Sequence, residues 1–436
     1  MSQNTDNKMK DSGIPWIGLI PSDWRIEQLS GLFSEHKNKN SDLSETNLLS
    51  LSYGKIIRKD INTKEGLLPQ SFDGYNVIDK GDIVFRLTDL QNDKRSLRTG
   101  LCTERGIITS AYITLRKRQD LDSAFFHYLF HSYDICKVFY GLGDGVRQGM
   151  NYSDLRKLAV LYPPLPTQQR IADYLDQKCA EIDELAALQE TMIAELKSYK
   201  QSVITEAVTK GLDPNVPMKD SGVEWIGEIP EHWKLEPLKY CFGRRSEKNN
   251  PVKTEERLSL SIDKGVTLYS EKTTNLDRFK EDFTQYQLAY PNDIVLNCMN
   301  MIVGAVGLSN YMGCVSPVYY VIYPIRQDIN PLYYSYLLNV PTIRGVYYSL
   351  GKGIYAIERG EGRVNTCRLK VAYNDFGRLE IPVPPIEEQK EITQFIQQKC
   401  SEIDSLIALK QAKIEELKEY KKSVIYEYVT GKKEVL

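Results

Sequence analysis

The sequence predicts an α+β protein in which two tandem α/β domains of one fold alternate with two long helices. Met9 to Phe33 returns as Met218 to Phe242 with 14 of 25 residues identical, and Pro163 to Thr209 returns as Pro384 to Thr430 with 25 of 47 identical. Most of the sequence between these repeats does not align. The repeat spacing of 209 residues at the start of each half and 221 at its end is too long for a solenoid and typical of tandem domains.

The repeats divide the chain into four predicted segments. Residues 1–165 form a first domain, 166–212 a central long helix, 213–386 a second domain and 387–436 a C-terminal long helix. The two domains have the same framework and different interiors.

The long helices follow from composition and periodicity. Thr167 to Thr209 and Glu387 to Thr430 contain neither Gly nor Pro. Thr167 can serve as an N-cap, and Glu387 and Glu388 suit a helix N-terminus. Both copies are apolar or aromatic at steps that average 3.5 residues, the coiled-coil period, so we expect the helices to pack on each other. The expected seam pairs are Ile182/Ile403, Leu185/Leu406, Leu188/Leu409, Ile193/Ile414, Leu196/Leu417, Tyr199/Tyr420 and Val203/Val424. The alternative, two helices that each cover their own domain, would not need matching stripes.

The segments between the repeats predict mixed secondary structure. Strand-like runs between turn residues cover residues 82–85, 107–115, 293–296 and 319–323. Apolar stretches at 125–130 and 333–338 predict short buried helices. Leu-Ser-Leu-Ser at 49–52 recurs at 258–261, which predicts one fold for both domains.

Composition narrows the functional classes. A polar N-terminus and the lack of an apolar run of eighteen residues predict a cytoplasmic protein without a membrane span. Eight cysteines without a CxxC pair suit buried thiols in a reducing compartment, and Cys179 and Cys400 are expected to be small core residues. The net charge of −2 argues against a nucleic-acid partner. The acidic surplus, however, lies in 166–212, with 5 Lys and Arg against 8 Asp and Glu, whereas 20–165 carries 20 against 18.

Catalytic and metal-binding motifs are not evident. His127 and His131 have the spacing of a helical zinc pair, but Tyr128 replaces the general base and no third ligand stands out, so a structural role is favoured. No phosphate loop of the GxxxxGK[ST] type occurs. The Pro-Pro motifs at 163–164 and 384–385 are similar to an amino-methyltransferase motif but lack its Asn or Asp. The pattern is typical of a binding protein.

Two motifs, each present twice and in order, resemble one family. Trp16-Ile-Gly-x-Ile-Pro-x-x-Trp24 with its copy at 225–233, and Pro-Pro-x-x-x-Gln at 163–168 and 384–389, resemble the specificity subunit of type I restriction-modification enzymes. Pro166-Thr167 departs from the family's usual Glu-Gln pattern, to which Glu387-Glu388 is closer.

The resemblance implies a function for the whole chain. It implies two target recognition domains that each read half of a split, asymmetric site on double-stranded DNA, and an antiparallel helical pair that sets their separation. Expected partners are two methyltransferase subunits and two restriction subunits. The chain itself is expected to be non-catalytic and without cofactors, because S-adenosylmethionine, ATP and Mg belong to those partner subunits.

The candidate DNA-binding residues lie mostly in Gly-rich loops before the Pro-Pro motifs, where the family often has Gly and Arg near DNA. Arg suits guanine or phosphate, and Asn or Gln suits adenine. The alternative is that these loops only return the chain to the helix. The loop candidates are Arg147, Gln148, Asn151, Arg363 and Asn365, and the phosphate candidates outside the loops are Lys94, Arg95, Arg98, Arg244 and Arg245.

Two other functions stay open at the level of sequence. One is a self-sufficient methyltransferase or nuclease, which the missing motifs disfavour. The other is a non-catalytic coiled-coil scaffold or decoy that binds methyltransferase subunits without reading DNA.

Overall fold

The computed structural model describes residues 9–62, 69, 71–90, 97–141, 149–262, 264–272, 282–354, 358–359, 363–364 and 368–435. The chain divides into two compact units. Unit 1 comprises residues 1–190 and 411–436, and unit 2 comprises 191–410. Each unit therefore contains one end of each long helix.

Unit 1 begins with short strands and ends in the first long helix. Its strands are β1 Met9–Asp11, β2 Leu19–Pro21, β3 Arg25–Gln28, β4 Phe33–Glu35, β5 Leu49–Ser52, β6 Lys55–Arg58, β7 Asn76–Ile78, β8 Ile83–Phe85, β9 Thr99–Leu101, β10 Gly106–Ile108, β11 Ile113–Lys117 and β12 Ala159–Tyr162. Its helices are α1 Leu29–Leu32, α2 Ser123–Ile135, α3 Tyr152–Leu155 and α4 Leu165–Lys210, of which α4 continues into unit 2.

Unit 2 repeats this order with additional elements. Its strands are β13 Met218–Asp220, β14 Glu228–Pro230, β15 Lys234–Pro237, β16 Phe242–Arg245, β17 Leu258–Ser261, β18 Gly265–Leu268, β19 Gln287–Ala289, β20 Ile294–Asn297, β21 Val306–Leu308, β22 Gly313–Val315, β23 Tyr319–Pro324, β24 Gly351–Ile354, β25 Glu358–Arg359, β26 Arg363–Val364, β27 Arg368–Val371 and β28 Glu380–Val383. Its helices are α5 Pro331–Leu337, α6 Pro341–Leu350, α7 Tyr373–Phe376 and α8 Ile386–Val429, of which α8 continues into unit 1.

Both units are built around the same antiparallel sheet. The strand order is β4-β11-β8-β9 in unit 1 and β16-β23-β20-β21 in unit 2. In each unit, an aspartate just before a central strand stabilises the preceding turn. A side-chain oxygen of Asp82 accepts a hydrogen bond from the Asp79 N–H at 2.9 Å, and a side-chain oxygen of Asp293 accepts one from the Tyr290 N–H at 2.8 Å. The shared topology confirms the predicted common α+β fold.

Each unit has its own apolar core, to which the long helices contribute. In unit 1, aromatic side chains of β4, β8 and α2 meet edge to edge, with Phe33 and Phe126 ring centroids 5.2 Å apart. Leu175 of α4 and Ile425 of α8 belong to this core. Ala207 of α4 and Ile396 of α8 belong to the corresponding core of unit 2.

Within each unit, the two long helices run antiparallel. In unit 1, the Lys421 ammonium lies 2.7 Å from the Asp183 carboxylate, and the Tyr174 and Tyr428 ring centroids are 4.4 Å apart. In unit 2, the Lys200 ammonium lies 2.7 Å from the Asp404 carboxylate, and the Lys410 ammonium lies 3.1 Å from Met192 Sδ. The predicted pair of long helices is confirmed. α4 starts earlier than expected, because the N–H groups of Thr167 and Gln168 both bond to the Pro164 carbonyl, so Thr167 lies in the first turn and is not the N-cap.

Part of the predicted seam is wrong. Its central leucines and its tyrosines are 47 to 67% exposed, namely Leu185, Leu188, Tyr199, Leu406, Leu409 and Tyr420. The less exposed positions instead follow steps of four and three residues at Leu175, Cys179, Ile182, Ala186, Gln189, Ile193, Leu196, Lys200, Val203 and Ala207, with the same pattern in α8. The period is therefore the predicted 3.5 residues. The prediction failed where a seam position holds Gln, Lys or Ala. At those positions it assigned the neighbouring Leu or Tyr to the seam because that residue is more apolar.

The predicted strand at 107–115 is also wrong. β10 and β11 are separate strands joined by a turn, in which the Tyr112 N–H bonds to the Thr109 carbonyl. In the described part of the chain, the structure contains no helix with an apolar stretch of the length needed to cross a bilayer.

Candidate nucleic-acid interface

A basic β-hairpin lies between α6 and α7 in unit 2. β24 pairs with β27, and the pairing of β25 with β26 continues the same antiparallel register. Residues 351–371 carry five Lys and Arg against two Asp and Glu. In unit 1 the corresponding connection between α2 and α3 is shorter, and residues 142–148 of it lie outside the described part of the chain. The hairpin accounts for the greater length of the second half.

Like charges lie opposite each other along this hairpin. Lys352 is paired with Lys370, and Arg359 with Arg363. Such cross-strand pairs are destabilising unless an anion neutralises them. An antiparallel two-stranded ribbon also has dimensions that fit the major groove of DNA. The register and the charge of the hairpin thus favour the binding of a polyanion.

Arg244 lies in an aromatic cradle beside the base of the hairpin. Its guanidinium carbon is 5.0 Å from the Tyr320 ring centroid and 4.9 Å from that of Tyr373. The Tyr320 hydroxyl donates to the Val371 carbonyl of β27 at 2.8 Å. Arg244 is exposed and forms no ion pair with the described residues. The two rings restrict the guanidinium while leaving its charge available to a phosphate.

Two other arginines that we predicted as phosphate ligands have structural partners. Arg245 makes a bidentate contact with the buried carboxylate of Asp293, at 2.7 and 3.0 Å, which raises the pKa of Arg245. Arg98 is fully buried and donates to the carbonyls of Thr88 and Asp89. In this conformation Arg98 cannot contact DNA, because its guanidinium satisfies backbone carbonyls in the interior.

The loop candidates are only partly visible. Asn151 caps α3, where its side-chain oxygen accepts from the Asp154 N–H at 3.2 Å. Arg363 lies on β26, but its side chain is not described. The remaining candidates, Lys94, Arg95, Arg147, Gln148 and Asn365, lie outside the described residues. Their roles stay predictions.

The sequence did not single out Tyr320 and Tyr373. The available signal was compositional, since the chain contains 28 Tyr against 12 Phe. Tyrosine combines an apolar ring face for stacking on arginine with a hydroxyl that needs a partner. Only the folded chain brings Tyr320 of β23 and Tyr373 of α7 to Arg244.

Comparison with known proteins agrees with this architecture. Residues 21–197 match the family described as type I restriction modification DNA specificity domain. A putative type I restriction enzyme MjaX specificity subunit of Methanocaldococcus jannaschii is 23% identical over 95% of both chains. The EcoBI specificity subunit of Escherichia coli is 25% identical over 56% of this chain and 52% of its own.

Solved structures show the same fold along nearly the whole chain. The HsdS subunit from Thermoanaerobacter tengcongensis covers 94% of this chain and 98% of its own at 14% identity, with a TM-score of 0.51. A structure described under complex assembly and conformational transition of the type I R-M system gives the same coverage at 15% identity and a TM-score of 0.64. Residues 21–197 match the specificity-domain family, and the chain is similar to type I restriction enzyme specificity subunits along nearly its whole length.

The repeated Pro-Pro-x-x-x-Gln motif joins each long helix to the domain that precedes it. The Gln168 side-chain oxygen accepts from the Asp122 N–H at 2.9 Å, and its amide donates to the Pro163 carbonyl at 2.7 Å. Gln389 repeats both contacts, with Asn330 at 2.8 Å and Pro384 at 2.7 Å. Asp122 and Asn330 cap α2 and α5. Each glutamine therefore fixes a recognition-domain helix to the start of a long helix.

Proposed function

We propose that this specificity subunit reads a bipartite, asymmetric DNA site and directs methyltransferase and restriction subunits to it. The observation that carries the proposal is the duplicated frame around dissimilar interiors. Base readout needs different side chains for each half-site, whereas subunit docking needs one surface presented twice. The basic hairpin and the Arg244 cradle supply the charge that DNA binding requires in unit 2.

The exposed side chains of the long helices support docking of two copies of one partner. Each unit presents two leucines from one helix and a tyrosine from the other, Leu185, Leu188 and Tyr420 in unit 1 and Leu406, Leu409 and Tyr199 in unit 2. Exposed apolar groups at equivalent positions favour protein contacts. We assign these patches to two methyltransferase subunits, with two restriction subunits completing the complex.

The chain acts without chemistry of its own in this proposal. S-adenosylmethionine, ATP and Mg would bind to the partner subunits. Calorimetry on the isolated chain should detect no micromolar binding of S-adenosylmethionine or ATP.

Methylation mapping tests the proposal directly. The chain is expressed with methyltransferase subunits in a host, and methylated adenines are mapped with and without it. We expect methylation at one bipartite sequence that depends on the chain. A chain that binds the methyltransferase subunits but leaves the methylation pattern unchanged would be a scaffold or decoy and would refute the proposal.

A further inference from the structure

A small cavity occurs at the equivalent place in both units, where the second tryptophan of the repeated motif meets the first turn of a long helix. In unit 1 its volume is about 160 Å³, and its walls include Pro21, Trp24, Thr167, Arg170, Ile171 and Gly431. In unit 2 its volume is about 200 Å³, and its walls include Pro230, Glu388, Glu391, Ile392 and Gly211. The repeat thus built the same cavity twice, but with different residues at the helix turn.

In unit 2 a carboxylate fills the position beside the tryptophan. The Trp233 indole N–H donates to Glu388 Oε2 at 2.8 Å, and Glu388 Oε1 lies 2.7 Å from His232 Nε2. Trp233 is fully buried and does not line the cavity. Glu388 therefore satisfies the indole donor and sits in the first turn of α8, where the helix dipole favours a negative charge.

In unit 1 the same position is Thr167, and no carboxylate takes its place. The first turn of α4 contains no acidic residue. Trp24 is only 3% exposed and lines the cavity, yet its indole N–H has no hydrogen-bond partner among the described residues. The indole nitrogen of Trp24 is not fully enclosed by protein atoms, so it is accessible to an external acceptor. The indole N–H that donates to Glu388 in unit 2 thus has no protein acceptor in unit 1 among the described residues.

The surrounding charges have both signs. Arg170 is exposed and forms no ion pair with the described residues, while Lys433 is 2.7 Å from Glu427. Asp23 and Glu434 also border the cavity. Net charge therefore does not select the ligand. The selection comes from the indole donor and the N-terminus of α4, both of which favour a carboxylate.

We infer that the Trp24 cavity receives the carboxylate of an Asp or Glu side chain from a partner protein. The twin cavity identifies the chemistry, because there a protein glutamate occupies the same position. The volume suits a single short acidic side chain. The site is independent of DNA reading, and its partner contact adds to the apolar patches of the long helices.

Indole NMR of the full-length chain labelled with ¹⁵N-tryptophan tests this inference. The chain contains four Trp, so four indole signals are expected, and Trp24→Phe assigns the relevant one. The probes are the blocked tripeptide Ac-Ala-Glu-Ala-NH₂ and its Gln counterpart. We expect a saturable shift of the Trp24 signal with the Glu peptide, at least tenfold weaker binding of the Gln peptide, and an unchanged Trp233 signal.

Variants at the helix turn provide the controls. Thr167→Glu should move the Trp24 signal without peptide and abolish its response, because the introduced carboxylate then accepts from the indole N–H as Glu388 does in unit 2. Thr167→Val keeps the cavity open and should respond like the wild type. A response in Thr167→Glu, an equal response to both peptides, or no saturable response in the wild type and Thr167→Val would overturn the inference. DNA and methyltransferase are absent from the assay, so its result does not depend on the proposed function.

Discussion

Gln389 shows how much one buried side chain contributes to the joint between a recognition domain and a long helix. It is fully buried and bonds to the Asn330 N–H and to the carbonyls of Asp328 and Pro384. Gln389→Leu leaves these groups without their partner, so we expect a loss of about 2 kcal/mol in the free energy of unfolding. Urea unfolding measures this loss. Lys390→Ala, an exposed neighbour, should change it by less than about 0.5 kcal/mol.

The partly buried histidines of α2 predict a loss of stability in acid. Burial lowers the pKa of His127 to about 3, with a smaller contribution from His131, whose own pKa burial lowers to about 4. Because the folded pKa is below the unfolded value, the unfolded chain binds more protons, and stability falls as pH drops below about 6.5. The loss should be about 1 kcal/mol per histidine at pH 5.5. Urea unfolding at pH 7.5 and 5.5 should show a smaller pH effect for His127→Leu. An equal pH effect in the variant would contradict the assignment.

Arg244 is expected to contribute charge without sequence preference. If its cradled guanidinium contacts a phosphate, Arg244→Ala should weaken binding about equally for all DNA sequences and reduce the salt slope by about 1. DNA affinity of the assembled complex at several salt concentrations measures both effects. Lys413→Ala removes the same charge from an exposed position on α8 and serves as the control. A change confined to one base pair would identify Arg244 as a base-reading residue instead.

Among the secondary-structure elements, the long helices are expected to set the spacer between the half-sites. Seven residues inserted after Glu190 and after Gln411 keep the heptad register and lengthen each helix by ~10 Å. This corresponds to about three base pairs, so we predict a longer spacer between unchanged half-sites. The added ~100° of DNA rotation is expected to lower activity unless the supercoil accommodates it. Methylation mapping gives the result. Retention of the original spacing by a folded, active variant would show that contacts other than the helices fix the separation.

The elements that sequence predicted well are those governed by local pattern. α4 was predicted within two residues at each end and α8 within one residue at its start, but α8 ends at Val429, before the predicted end at 436. Long stretches without Gly or Pro predicted both helices, and short apolar runs predicted β8, β20 and β23. The hairpin β24–β27 was missed because its strands alternate charged residues and glycines rather than apolar ones. The burial of Arg98 could not be predicted, since it depends on carbonyls that only the folded chain brings together. The positions of proline and glycine and the apolar periodicity reflect local backbone geometry, so they can be read from the sequence. The contacts of a side chain such as that of Arg98 depend on the topology of the folded chain.

For the whole molecule, each recognition domain should read its own half-site. Arg147→Ala in the first domain and Arg363→Ala in the second should weaken recognition of different half-sites. A bidentate contact to guanine contributes about 1–3 kcal/mol of base discrimination. Binding assays with base substitutions in each half-site separate the two effects. Loss at the same half-site from both variants would contradict the assignment of one domain to each half.

The end of α8 returns to the start of the chain within unit 1. The Tyr426 hydroxyl donates to the Trp16 carbonyl at 2.9 Å, and the Lys432 ammonium donates to the Ile17 carbonyl at 2.7 Å. The connection between α4 and β13, in contrast, passes through exposed residues 212–215. A circular permutant can therefore be designed in which a short linker joins the present ends and the chain is opened between residues 212 and 215. We expect it to retain the contacts of both units. The order in which the two domains are translated is therefore set by the order of their coding segments in the gene and not by the fold.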